Sequence, residues 1–412
     1  MKIKDIGLWR EGRQDIEWAK ENMPVLGEIE KEFEKNKPLA GITVAACLHI
    51  TKETAVLLEV LKAGGARVFL CGSNPLSTND AVAAALAKSG VNVYGWRGLN
   101  ERQYMWCIDR VLDAKPDVTV DDGADLTVRA HERGITCLGG TEETTTGVLR
   151  LRAMEQQGRL SYGVIAVNNA KTKMLFDNRY GTGQSTIDGI LRATSILIAG
   201  KKFVVAGYGW CGRGIAMRAR GMGANVVVCE TDPIKALEAF MDGFTVMSME
   251  EAAEIGDIFV TATGNIDVIT AKHFKLMRDG AILANSGHFD VEVSVKQLQE
   301  MAVRKRRVRR CMDEYTLRDG KKLYLLGEGR LVNLACAEGH PSEVMQMSFG
   351  NQALCVEHIV ENKGIDKKLF DVPYKIDSKI AMIALKCMGV RIGKLSDKQE
   401  AYMRSWESGT AD

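Results

Sequence analysis

Short runs dense in valine and isoleucine recur through the first half of the chain, at 42–48, 67–71, 117–120 and 164–167. Between them lie longer segments, such as 52–63, whose apolar positions repeat at helical spacing. Short apolar runs bounded by turn residues read as buried strands, and the amphipathic stretches as helices. Their alternation predicts βαβ units, hence a parallel sheet with helices on both faces. A second series opens at Phe203 and continues through 225–229, 258–261 and 281–284. The pattern therefore predicts an α/β protein with two doubly wound parallel-sheet domains. Residues 184–198 read as a helix, apolar on one face, that joins the two series as a hinge. After Pro341 the chain returns to helix over 342–360, passes a loop containing Pro373 and enters another helix.

The strand at 203–206 runs directly into Gly207, Gly209 and Gly212, spaced as G-x-G-x-x-G, and a helix-forming segment follows. In that strand-turn-helix context the spacing reads as a dinucleotide cradle. The first glycine permits the tight turn, the second lets backbone approach a pyrophosphate, and the third lets helix pack on strand. The helix N-terminus adds unpaired N–H groups for the phosphates. Glu230 closes the next strand about 20 residues on, where a carboxylate accepts from a ribose diol and repels the 2′-phosphate of NADP. The alternative is a glycine-rich turn in an unrelated α/β protein. With this cradle in the second half, the preceding strands are left to bind substrate.

Composition narrows the picture. Lys and Arg number 55 against 53 Asp and Glu in 412 residues, so no global field favours nucleic acid or an anionic membrane. The basic run 304–310 reads as a solvated face between two elements. No run approaches the length of a membrane span, and the charged N-terminus lacks an apolar core, so a cytoplasmic protein is expected. Ten cysteines lie scattered without a C-x-x-C pair, several of them in apolar strands; they read as reduced thiols, neither a disulfide framework nor a metal site.

Polar residues cluster where the first series of strands ends. His49, Thr51 and Glu53 follow the first strand; Asp122 and Asp125 follow the third; Glu142, Glu143, Thr144, Thr145 and Thr146 come next; Asn168, Lys173, Asp177 and Asn178 follow the strand at 164–167. Each has a structural explanation: Thr51 and Asp125 as helix N-caps, Glu142 and Glu143 facing a helix dipole, Lys173 and Asp177 as an i, i+4 ion pair. Collectively they occupy the carboxyl edge of one sheet, where open α/β sheets bind ligands. His288 and His340 each adjoin a glycine in the second half and would face the cleft between the domains.

These segments resemble the S-adenosylhomocysteine hydrolase (adenosylhomocysteinase) family. The similarity is carried by Cys47-Leu48-His49-Ile50-Thr51, Asp121-Asp122-Gly123, Glu142-Glu143-Thr144-Thr145-Thr146-Gly147, Phe176-Asp177-Asn178, Gly207-Tyr208-Gly209, Gly287-His288-Phe289-Asp290, Glu328-Gly329-Arg330-Leu331-Val332-Asn333 and Gly339-His340-Pro341, in order along nearly the whole chain. The resemblance implies a discontinuous substrate domain over 1–181 and 341–388, a Rossmann NAD domain over 182–340, a short C-terminal segment over 389–412, and a homotetramer. It implies that bound NAD oxidises C3′ of S-adenosyl-L-homocysteine. The C4′ proton becomes acidic, homocysteine leaves by β-elimination, water adds, and the ketone is reduced again to give adenosine.

By position, the resemblance implies that Lys173 and Asp177 contact the 3′-hydroxyl, with Lys173 as a base of lowered pKa. Glu143 and Thr145 hold the ribose, and Asp122 takes the C4′ proton. His49 and His288 act as acid and base at C5′, Asn168 and Asn178 orient the sugar or nicotinamide, and His340 with Thr51 and Glu53 clamps the purine. Gly207, Gly209, Gly212, Glu230, Asn265 and Asn333 bind NAD, with Thr144 and Thr146 reaching it from the other domain. Closure about Thr182 and Pro341 excludes water. The chain departs from the family's usual pattern at Thr182, where a cysteine is common, at Trp210, where an acid is common, and at 406–412, which lacks a Lys- and Tyr-containing tail. That ending is similar to the archaeal and thermophilic bacterial branch, which includes S-inosylhomocysteine hydrolases; an acceptor at Glu53 favours adenine. The other readings are a 2-hydroxyacid dehydrogenase and a catalytically silent NAD-binding regulator.

Overall fold

The computed structural model describes residues 1–406, so all of the tail segment except Trp406 lies outside the described residues. Six strands form in the first half: β1 (Thr43–Leu48), β2 (Arg67–Gly72), β3 (Asn92–Tyr94), β4 (Val118–Asp121), β5 (Gly139–Glu142) and β6 (Val164–Ala166). The second half adds β7 (Lys202–Ala206), β8 (Asn225–Cys229), β9 (Thr245–Val246), β10 (Ile258–Thr261), β11 (Ala281–Asn285), β12 (Ala302–Arg309), β13 (Met312–Leu317) and β14 (Lys322–Leu326). A last strand, β15 (Leu369–Asp371), returns to the first sheet beside β6. The orders are β15-β6-β5-β4-β1-β2-β3 and β12-β13-β14-β11-β10-β7-β8-β9.

All pairings in the first sheet are parallel, and β1 and β4 are buried throughout, as a sheet covered on both faces requires. The second sheet is parallel from β14 to β9, but β12, β13 and β14 form an antiparallel edge that the apolar pattern did not reveal. Residues 304–307 and 309–310 are exposed, as a solvated face requires, but the run is not a connection between two elements. The basic run is the edge strand β12, and its cations face acids on β13: Arg306 binds Glu314, and Lys305 and Arg307 bind Asp313. A charged edge resists pairing with another sheet.

Five helices frame the cleft: α1 (Lys52–Ala63), α2 (Thr145–Gln156), α3 (Thr182–Thr194), α4 (Trp210–Gly221) and α5 (Ser342–Glu361). The linking helix α3 is shorter at its C-terminal end than expected, stopping at Ser195 in a left-handed turn with φ 56°. It begins directly after a π-helical turn, Met174–Gly181. Contacts tie the two halves together near this linker. Lys52 binds Glu338 at 3.1 Å, and the Arg97 guanidinium donates to the Ala335 carbonyl at 2.6 Å; within the second half Arg192 holds the same Glu338 at 2.8 Å. Among the described residues no helix is long and apolar enough to cross a membrane.

Candidate active site

Both sheets reverse strand order beside their first strands, β1 against β4 and β7 against β10, and ligands of open α/β sheets bind at such switch points. His49 follows β1, Asp122 follows β4, and the glycine cradle follows β7. One cavity of about 1140 Å³ joins the two switch points. Of the residues singled out from sequence, His49, Thr51, Glu53, Asp122, Glu143, Thr144, Thr145, Thr146, Asn168, Lys173, Asp177, Asn178, Gly207, Gly209, Glu230, Asn265, His288, Asn333 and His340 all line it. Gly212 lies behind the cradle.

At the centre stand two histidines and an aspartate. One ring nitrogen or carboxylate oxygen from each of His49, Asp122 and His288 lies within 4.8 Å of the others. His49 Nε2 is 3.4 Å from one Asp122 oxygen, and His288 Nδ1 is 3.8 Å from the other. His288 comes from the second half and meets the first at Gly123. A Cβ there would fall 2.2 Å from His288 Nε2, and φ is +108°, so only glycine admits this contact. Burial, with Glu142 and Glu143 nearby, pushes the Asp122 carboxyl well above its usual range. Burial and the neighbouring His288 push His49 well down, and burial lowers His288 to about 4. The pair of imidazoles is therefore neutral at physiological pH, with a carboxyl between them able to hold a proton.

Beside this trio Lys173 is buried among acceptors, 2.7 Å from Asp177 Oδ2, 2.7 Å from Asn178 Oδ1 and 3.7 Å from Glu143 Oε1. The ion pair to Asp177 is the one expected at i, i+4, and the π-helical turn also brings Asn178, five residues on, to the same ammonium. Burial alone would lower the lysine, but Asp177 and Glu143 outweigh it and hold Lys173 above its ordinary value. The expectation of a lowered Lys173 is thereby corrected. Burial would raise Asp177, yet Lys173 and His340 hold it below the usual carboxylate range. Glu143 is raised by burial and takes hydrogen bonds from Ser348 and Gln352 on α5.

His340 does not present a free ring to a purine. Its Nδ1 pairs with Asp177, and its Nε2 lies 3.2 Å from the Thr182 hydroxyl. Thr51 caps α1 by accepting from Thr54 N, the structural role weighed for it. Asp125 is not a cap: Ala124 holds that position in a left-handed conformation, and Asp125 instead binds Arg150 at 2.7 Å and Tyr104 at 2.9 Å. Glu53 is 2 % exposed, and its Oε1 accepts from Ser342 at 2.8 Å. Thr145 donates to Asn168 Oδ1 at 3.3 Å, which also receives Asn178 Nδ2 at 3.1 Å.

The second switch point fits a dinucleotide. Gly207 has φ +96°, Gly209 has open space where a Cβ would lie, and a Cβ on Gly212 would sit 1.9 Å from the Gly207 carbonyl oxygen. Gly209 precedes α4 without a side-chain cap, leaving the first N–H groups of a 12-residue helix for a phosphate. Glu230 receives Tyr208 N at 2.7 Å and closes the cradle. Asn333 Oδ1 is buried without a hydrogen-bond partner in this cavity, ready for an amide donor. From the opposite side Thr146 Oγ1 would lie 3.9 Å from a Cβ on Gly264, so it faces the loop after β10. Asn265, on that loop, is exposed.

Residues 1–137 match the family described as S-adenosyl-L-homocysteine hydrolase, and residues 178–339 match its NAD binding domain. The adenosylhomocysteinase of Aeropyrum pernix is 60% identical over 411 residues, covering 98% of this chain and 99% of that relative. That of Aquifex aeolicus is 58% identical, covering 99% of each. The S-inosyl-L-homocysteine hydrolase of Methanocaldococcus jannaschii is 56% identical, covering 99% of this chain and 100% of the relative. The chain belongs to the S-adenosyl-L-homocysteine hydrolase family. Its NAD-binding domain is the one built on β7 and α4.

Sequence reasoning passed over Ser348, Gln352, Ser73 and Ser77, which shape this site, and saw in Glu142 only a partner for a helix dipole. Ser348 and Gln352 hold Glu143 and stand four apart on a largely apolar helix, a signal visible in the sequence. Glu142 is fully buried, and its Oε1 accepts from Gly123 N at 2.8 Å, Thr144 N at 2.9 Å and the Thr144 hydroxyl at 3.0 Å. It ties together the loops that carry Asp122 and Glu143. Ser73 and Ser77 contact His49, and no local pattern marks them.

Proposed function

We propose that this chain catalyses the reversible, NAD-dependent hydrolysis of S-adenosyl-L-homocysteine to adenosine and L-homocysteine. The observation that carries the reading is one cavity in which a dinucleotide cradle faces the Lys173, Asp177 and Glu143 cluster and the His49, Asp122 and His288 trio. When bound, NAD supplies reversible hydride transfer at C3′. Lys173, held as an ammonium, stabilises the 3′-oxygen as its proton leaves, and Asp177 and Glu143 are the acceptors facing it. Asp122, raised by burial, takes the C4′ proton and keeps it in the closed site. His49 and His288 manage protons at C5′. The ion pair of Lys52 with Glu338 spans the two domains and favours a closed cleft that excludes water while the ketone exists.

Glu53 supports adenine as the base. An ionised carboxylate accepts and never donates, which matches the adenine amino group better than the hypoxanthine oxygen. Self-association, as the expected homotetramer needs, is supported by the helix Pro233–Met241, whose Ile234, Leu237 and Phe240 are more than half exposed. The deciding experiment is thiol release by the purified holoenzyme from S-adenosyl- and S-inosyl-homocysteine at equal concentration. Preference for the adenosyl substrate without net NADH supports the proposal. Preference for the inosyl substrate keeps the mechanism and changes the substrate, and no thiol from either refutes both.

A further inference from the structure

His49 Nδ1 faces two hydroxyls on the loop after β2, Ser77 Oγ at 2.8 Å and Ser73 Oγ at 3.1 Å. Both serines are about 5% exposed. The Ser77 hydroxyl also lies 3.1 Å from the Asn74 carbonyl oxygen. A carbonyl only accepts, so at that contact Ser77 must donate, and a hydroxyl has one proton to give. Toward His49 the Ser77 oxygen can then only accept, which requires a proton on Nδ1. In a neutral imidazole the other nitrogen, Nε2, is left with its lone pair. That nitrogen is the one directed at Asp122, 3.4 Å away, in the cavity.

We propose that Ser77 is a positioning residue that fixes His49 in the Nδ1-protonated tautomer, so that His49 Nε2 meets the substrate as a proton acceptor. The inference rests on the hydrolase reading above, and it divides the acid and base roles that reading leaves joined. In the hydration step one O–H bond of water breaks and its proton goes to His49 Nε2. The water oxygen forms the new bond to C5′, and the electron pair of the C4′–C5′ double bond moves toward C4′ and the 3′-carbonyl. Protonation at C4′ then falls to Asp122, which returns the proton it took from C4′ before the elimination. Ser73 makes no contact that commits its own proton, so it supports the ring without choosing the tautomer.

Long-range proton–nitrogen NMR on holoenzyme labelled with ¹⁵N-histidine tests this directly, since the chain has only six histidines and a His49→Gln sample identifies the signal. The expected spectrum shows His49 protonated at Nδ1. In Ser77→Ala the signal should shift toward the other tautomer, and kcat should fall on the order of 10²-fold with KM little changed, the scale of a misplaced general base. Ser77→Thr, which keeps the hydroxyl, should restore most of the rate, and Ser73→Ala should lose less than Ser77→Ala. A wild-type His49 protonated at Nε2 overturns the proposal, as does a Ser77→Ala enzyme with unaltered tautomer and kcat. The wild-type spectrum decides even where a variant folds poorly. Absence of thiol release by wild-type enzyme would instead count against the hydrolase reading and leave the tautomer measurable.

Discussion

Replacing Lys173 with methionine removes one ammonium while keeping most of the unbranched stem of the side chain. In the protein that ammonium sits 2.7 Å from Asp177 and 3.7 Å from Glu143, all three groups being buried. At an effective dielectric constant near 20 these separations correspond to attractions of roughly 6 and 4 kcal/mol. Desolvation of the lysine and of both carboxylates offsets much of this, and breaking a buried pair from one side has a net cost of about 3–5 kcal/mol. The cost should depend on pH. Without Lys173, burial pushes Glu143 further up, so the folded state binds a proton that the unfolded state has released. Stability of Lys173→Met should therefore be highest in acid and fall as pH rises through and above the ordinary glutamate range, more steeply than in the wild type.

Urea unfolding from pH 5 to 8 measures that slope, and the spectrum of bound nucleotide after addition of adenosine measures chemistry separately. The variant should retain NAD, because the cradle lies on the other sheet, yet fail to reduce it with adenosine at a measurable rate. A Lys173→Met protein as stable as wild type at pH 8, or one that reduces its NAD normally, would refute the argument that this ammonium is held against its desolvation by Asp177 and Glu143.

Three further outcomes are expected. Gly209→Ala should fold normally, since nothing lies within 4 Å of the added methyl, but should carry less NAD per chain when the nucleotide is released and quantified; Gly212→Ala, whose methyl meets backbone at 1.9 Å, should lose both nucleotide and stability. Glu53→Gln gains a donor, so the ratio of thiol release from S-adenosyl- to S-inosyl-homocysteine should fall about tenfold, the scale of one hydrogen bond to a charged group. Glu142 is raised by burial and by Asp121, so its folded form binds a proton that the unfolded form gives up, and stability is lost as pH rises above the ordinary glutamate range. Glu142→Gln keeps the three hydrogen bonds at Oε1 and should flatten that decline in urea titrations; an unchanged slope would show that Glu142 is ionised in the native state.

What was legible in the sequence follows from the range over which each feature is decided. The fingerprint at Gly207 to Gly212 is a local contract between strand, turn and helix, so its spacing states its geometry, and Glu230 follows because β8 must lie beside β7. The strand-end residues were legible for a similar reason, since a parallel sheet delivers the ends of β1, β4 and β5 to one edge. The protonation of those residues was not, because it depends on which groups meet after the two halves close. Lys173 is a lysine near an aspartate in the sequence; that Glu143 also faces it, and that His340 shares its partner Asp177, is fixed by α5 and by the exit from the second domain, far along the chain. The edge strand β12 escaped notice because its face is written in arginines whose partners lie on β13, and charge pairing across strands leaves no apolar period to read. His49 shows the same limit most sharply. Its place at the end of β1 is local, but the nitrogen that carries its proton depends on a hydroxyl 28 residues away and on the carbonyl to which that hydroxyl is committed. Function in this chain is thus carried by local motifs for placement and by long-range hydrogen bonds for protonation, and the second kind sets whether His49 gives or takes a proton.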